Sequence, residues 1–164
     1  MRATLVLALA ACGGGGGSSI DAAPGRTCMV SSSTSCMEAA NHSDLTWIEA
    51  NVFAAQCAFS GCHNDTATVA GRIDLKNPGM SHADLVNADS MIATGRKLVV
   101  PGQPRQSYLL MMMQQFPPAQ MEPTPVTPPP SDIGFMPQGT NNVPVCCQKL
   151  DAIERWITAG AANN

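Results

Sequence analysis

The chain has 164 residues, is 45% hydrophobic but only 4% aromatic, and carries a net charge of −3. That length allows one modest hydrophobic core, and so few aromatic rings leave it short of large packing groups. Nine Lys and Arg stand against 12 Asp and Glu with no basic cluster, which excludes a nucleic-acid partner.

Residues 1–11 read as a lipoprotein signal peptide. Arg2 precedes an apolar run, Ala3 to Ala11, too short for a bilayer-spanning helix, which needs about 20 apolar residues. Leu9-Ala10-Ala11-Cys12 places an aliphatic residue and two small residues before the cysteine that receives lipid. Gly13 to Gly17 and Ser18-Ser19 then form a flexible tether. Residues 12–41 are a tether and irregular leader, and 42–162 are the folded domain. The implied location is an exported protein held by its lipid on a bacterial membrane, at the outer membrane or cell surface. Removal of Arg2 with the signal leaves a net charge near −4.

Within the domain, Ser43 or Asp44 caps a helix through Trp47, Ile48, Val52 and Phe53, which share one apolar face. This helix ends near Cys57. Residues 64–80 read as loop, broken by Gly71, Pro78 and Gly79. Ser81 is expected to cap a short helix. Val99 to Pro104 is a turn that leads into a helix over Gln106 to Gln115. The stretch 117–130, seven of its 14 residues proline, is expected to be an exposed, partly extended loop. A final helix carries Cys146, Leu150, Ile153 and Ile157 on one stripe with Trp156 beside it, and Gly160 stops it. No stretch alternates long enough to be a strand. The expected fold is mainly α, a small helical domain with long loops after a flexible N-terminal leader.

The chemistry-bearing run is Cys57-Ala58-Phe59-Ser60-Gly61-Cys62-His63. Two cysteines followed at once by histidine is the pattern of covalent c-type haem attachment. Each thiol adds across a vinyl group and the histidine sits under the iron. Here four residues separate the cysteines rather than two, and Ser60-Gly61 lets the extra backbone bend away. His63 is the candidate proximal ligand. Met136, in Phe135-Met136-Pro137-Gln138-Gly139, is the candidate on the far side, because the following proline keeps it out of a helix. Met111, Met112 and Met113 read as core, Met121 as a weaker rival in the proline-rich loop, and His82 as a surface or capping residue.

Seven cysteines are many for this length. With Cys12 lipidated and Cys57 and Cys62 on haem, Cys28, Cys36, Cys146 and Cys147 remain in an oxidising compartment. Adjacent cysteines rarely bridge each other. Cys28 and Cys36 are therefore each expected to bond one of Cys146 and Cys147, with the choice left open.

Four segments in order resemble a family. They are Val52-Phe53 with the cysteine–histidine run, Gly71-Arg72-Ile73-Asp74-Leu75, Val100 to Pro104 with Ser107-Tyr108-Leu109, and Met136-Pro137 with Trp156 to Ala161. Over about residues 47–162 the chain resembles the small exported c-type cytochrome domains of planctomycetes, and more closely the cytochrome-like lipoproteins of myxobacteria. The resemblance implies a cytochrome c-like helical fold, one haem c on Cys57, Cys62 and His63 with methionine opposite, and one-electron transfer rather than catalysis. The four-residue gap, the long proline loop and the Cys146-Cys147 pair depart from the usual pattern. The redox partner is not identified by the sequence.

Rival chemistries are thin. Zinc needs four soft or imidazole ligands and this run supplies three. A cysteine nucleophile needs a separate histidine, and His42 and His82 stand in unpromising contexts. The alternative is a haem-less, disulfide-stapled surface lipoprotein with a structural or interaction role, in which Cys57 bonds Cys62.

The lipid anchor is checked by fractionation. Cys12→Ser should move the protein from the membrane to the soluble fraction or block its processing. A variant that stays membrane-bound and normally processed would rule the anchor out.

Overall fold

The computed structural model describes residues 28–59, 61–64, 73–138 and 145–164. The expected signal peptide, Cys12 and the expected tether lie outside the described residues, as do Ser60, Gly71, Arg72 and Gly139. The described part is a mainly α domain with long loops, and among those residues the only β pairing is three isolated bridges.

The one long helix is α6, Cys147–Thr158. Its apolar stripe is as the spacing predicts: Leu150, Ile153, Trp156 and Ile157 are all fully buried. The Trp156 indole N–H donates to the Ala162 carbonyl at 2.8 Å, so the tail folds back at Gly160, whose φ is +105°.

Helix α1, Thr34–Ala39, forms within the leader, which the sequence predicts to be irregular. It is held from outside rather than by its own periodicity. Cys36 and Ala39 are its buried residues, and Arg155 of α6 donates to the Ala39 and His42 carbonyls at 2.6 and 2.8 Å.

The chain then turns into α2, Leu45–Ile48. Of the two expected caps, Asp44 is the one used: its carboxylate accepts from the Trp47 N–H at 2.8 Å. Asp44 also accepts from His42 Nδ1 at 2.8 Å, and the His42 ring stacks on Trp47 with centroids 4.5 Å apart. The hydrogen bond from His42 holds the Asp44 carboxyl below the usual carboxylate range. After α2 the helix widens into a π-turn, Glu49–Phe53, and closes as α3, Ala54–Gln56. Ile48, Val52 and Phe53 are fully buried, whereas Trp47 is half-buried.

Helix α4, Met80–Leu85, starts from Gly79 at φ +83°, not from a Ser81 cap. Ser81 is buried one position further in, where its hydroxyl donates to Glu49. The same carboxylate accepts the Gly79 N–H, so the cap comes from a residue 30 positions away.

Helix α5, Tyr108–Met112, is shorter than the expected Gln106–Gln115 span. Pro104–Gln106 forms a 3-10 turn before it, and Gln114 has a φ of +61° just after it. Ser107 Oγ accepts the Val100 N–H at 2.9 Å and donates to the Gln103 carbonyl at 2.9 Å, fixing the turn.

The proline-rich loop is less exposed than expected. Met121, Val126 and Pro129 are buried. Arg96 donates to the carbonyls of Glu122, Pro123 and Pro125, and Arg105 donates to the Gln120 carbonyl while lying 5.0 Å over the Phe116 ring. Proline lacks an N–H and cannot build a ladder, so arginine side chains take up the loop's free carbonyls.

Two disulfides join the leader to α6: Cys28–Cys147 and Cys36–Cys146. The expected set of four is paired as reasoned, with the choice between partners now settled. Non-reducing peptide mapping should recover these two links and not the crossed pair. Each closes more than 100 residues of chain, 119 and 110, which constrains the unfolded state strongly. Cys28→Ser with Cys147→Ser should lower stability by about 2–5 kcal/mol in denaturant unfolding. Recovery of crossed links would show that the leader takes a different path.

Candidate cysteine–histidine site

The site begins where the π-turn ends. A π-turn closes through i+5 bonds and leaves carbonyls poorly matched to the helix ladder. The Asn51 carbonyl is taken instead by the Lys149 ammonium at 2.8 Å. Lys149 is buried on α6, and that burial pulls its pKa down. No sequence signal marked this lysine, because a lysine in a helix is ordinarily a solvated residue. It fixes the segment that leads into Cys57.

The Phe53 carbonyl accepts from both Cys57 and Ala58, at 2.8 and 3.1 Å, and the helix stops there. The run then loops out and returns. Gly61 has a φ of +80°, supplying the bend expected of it. Cys62 N–H donates to the Phe59 carbonyl at 2.9 Å, and His63 N–H donates back to the Cys57 carbonyl at 3.2 Å. The last bond closes a ring of backbone around the intervening residues and brings the Cys57 and His63 backbones together. The Leu75 N–H donates to the His63 carbonyl at 3.0 Å, tying the histidine to the segment that follows. That segment is rigidified by Asp74, which accepts the N–H groups of Lys76 and Asn77 and donates its own N–H to Asp84.

Cys57 and Cys62 are both free thiols and both half-buried, as is His63. The Cys57 S–H lies 3.9 Å from the Val52 carbonyl. Burial, with a smaller contribution from the neighbouring Cys62, pushes the Cys57 thiol up to about 12. Two side-chain oxygens flank the run, Gln56 Oε1 and Asn64 Oδ1. Both are buried, and among the described residues neither has a hydrogen-bond partner.

Met136 is half-buried and packs against the same core as Cys57. Its N–H donates to the Met112 carbonyl at 2.8 Å. The turn before it needs Gly134, at φ +66°, where a Cβ would come within 2.7 Å of the Gln138 side chain. Met111, Met112 and Met113 are buried core, as their helical spacing predicts. Met121 is also fully buried, which corrects its placement in an exposed loop. His82 donates through Nε2 to the Ala161 carbonyl at 3.0 Å, anchoring the C-terminal tail. Among the described residues, no group of three or more His, Cys, Asp or Glu side chains could hold a metal ion.

Burial raises the Cys57 thiol and so lowers the share of reactive thiolate. Alkylation of Cys57 should therefore be several-fold slower in the folded protein than after unfolding. Equal labelling rates in the folded and unfolded protein would show that the fold does not shield this thiol.

No protein-family model, curated protein or solved structure matches this chain, so the site's own residues carry the functional argument.

Proposed function

We propose that the protein is a membrane-anchored c-type cytochrome, with one covalent haem c held by Cys57 and Cys62. The observation that carries this reading is the bond from His63 N–H to the Cys57 carbonyl. It closes the four-residue gap, two residues longer than usual, so the run presents its two ends together. The disulfides add support: they use Cys28, Cys36, Cys146 and Cys147 and leave Cys57 and Cys62 as thiols.

The donor set fits the group. Two free thiols stand beside a half-buried imidazole, and a half-buried thioether packs on the same core. When bound, haem supplies a one-electron iron couple whose potential depends on its axial ligands. Cys57 and Cys62 would hold it as thioethers, and the His63 imidazole and the Met136 thioether would bind the iron. His82 is engaged with the Ala161 carbonyl, which argues against it as the second ligand. In this reading the helical domain is cytochrome c-like, with the Leu45–Gln56 helical segment ending at the attachment run and its start packed on α6.

The same loop closure would also suit a Cys57–Cys62 disulfide, which is the haem-less alternative. Expression with a cytochrome c maturation system separates the two. Denatured protein should keep a c-type absorption band and the mass of one haem. A Cys57–Cys62 disulfide with neither signal would overturn the cytochrome reading. Met136→Ala should leave haem attached but open the sixth position, giving a high-spin spectrum and carbon monoxide binding on reduction. Met91→Ala is the control, because Met91 is exposed. Met121 does not serve, since truncating a buried methionine costs about 2–5 kcal/mol by itself. An unchanged spectrum in Met136→Ala would assign the sixth position to another residue.

A further inference from the structure

The leader carries large apolar side chains that the fold leaves outside. Met29, Val30 and Met37 are 70%, 52% and 54% exposed. They are not scattered. The disulfides place Cys28 and Cys36 on two adjacent residues, Cys147 and Cys146, and Met29 and Met37 follow those cysteines directly. The Met29 carbonyl accepts the Cys147 N–H at 3.0 Å, and Gln148 brackets Ser31 through its N–H and its carbonyl, at 3.3 and 2.7 Å. The three side chains therefore share the end of the domain at which α6 begins.

The cysteine–histidine run comes to that same end. The Thr46 N–H donates to the Asn164 carbonyl, beyond the finish of α6, whereas the Asn51 carbonyl meets Lys149 near its start. The helix from Leu45 to Gln56 thus runs back along α6, and Cys57 lies toward the α6 start. Phe59, in the run itself, is 57% exposed.

We propose that this end of the domain, led by Met29, Val30 and Met37, docks on the surface of the lipid bilayer. The proposal rests on the reading of Cys12 as the lipid-anchor residue. Fifteen residues, 13–27, separate Cys12 from Cys28, and Cys28 adjoins the patch. Fifteen residues reach at most about 50 Å even when fully extended, so an anchor at Cys12 holds this face, rather than any other, nearest the membrane. A tethered surface needs only weak affinity, because the local concentration of lipid is already high.

Charge decides which kind of bilayer contact this is. Residues 28–41 hold one charged side chain, Glu38, and no Lys or Arg. Docking is therefore apolar and does not require anionic lipid.

The methionines report on the contact directly. The full lipidated chain is reconstituted on phosphatidylcholine vesicles, treated with hydrogen peroxide, and mapped by mass spectrometry. Met29 and Met37 should oxidise several-fold more slowly than in the unlipidated Cys12→Ser chain. Met91, 66% exposed on the loop that Arg96 holds to the proline-rich segment, should oxidise at the same rate in both. Val30→Glu with Met37→Glu should restore oxidation of Met29 while the protein still sediments with the vesicles. If the native chain sediments but Met29 and Met37 oxidise as fast as in Cys12→Ser, the docking proposal is overturned and the anchor stands. If the native chain does not sediment, the anchor reading fails and the proposal falls with it. Protection seen on native membranes but not on pure lipid would replace the bilayer with a protein partner.

Discussion

Helix α6 is the template on which the other helices are held. It is the longest uninterrupted α-helix among the described residues. Helices as short as α1, α4 and α5 are unstable alone, because nucleation is not recovered in one or two turns. Each borrows its order from packing, and much of that packing returns to α6. Cys146 and Cys147 hold the leader, Arg155 holds the end of α1, Lys149 holds the π-turn, and Gln115 beyond α5 donates to Asp151 and Glu154. Even the turn before α5 is tied there, through the Gly102 N–H and the Ile157 carbonyl. A chain with so few aromatic residues fixes its geometry through one well-packed stripe and a set of long-range polar ties.

Those ties explain how long loops remain ordered without strands. A buried backbone carbonyl needs a donor, and here side chains supply it. Arg96 serves three carbonyls of the proline-rich loop, and Arg155 serves two at the α1 turn. Ser107 does the same for the Gln103 carbonyl in the turn before α5, and Trp156 for the Ala162 carbonyl in the tail. Only a few residue types carry this load, so the loops depend on particular side chains more than on local propensity.

The sequence was most legible where its signals were local. Asp44 with the spacing of Ile48, Val52 and Phe53 located the second helix, and the stripe on α6 located the last. Gly61 was readable as a bend for the same reason. Distant partners were not readable. The helix at Thr34–Ala39 has no period of its own, and the cap of α4 comes from Glu49 rather than from Ser81 beside it. The depth of Met121 depends on arginines far along the chain. The cysteine pairing was half legible: adjacency excluded one arrangement, but nothing local distinguishes Cys146 from Cys147. At the candidate site, residue types announced the chemistry of Cys57, Cys62 and His63. The closure from His63 to Cys57 and the buried Lys149 required the folded backbone to be seen.

The π-turn at Glu49–Phe53 has a bearing on length as well as on shape. Its bond from the Ala54 N–H to the Glu49 carbonyl spans one residue more than an α-turn does. Deleting one residue between Ile48 and Ala54 would replace the i+5 bond with an i+4 bond and leave Cys57 facing nearly as it does. Each residue of α-helix advances by about 100°. Keeping the length but forcing regular α geometry through the segment would therefore turn Cys57 and its loop by roughly that angle relative to α6, aiming the thiol at a different neighbour. The wide turn takes up one residue of chain without changing the azimuth of the first cysteine.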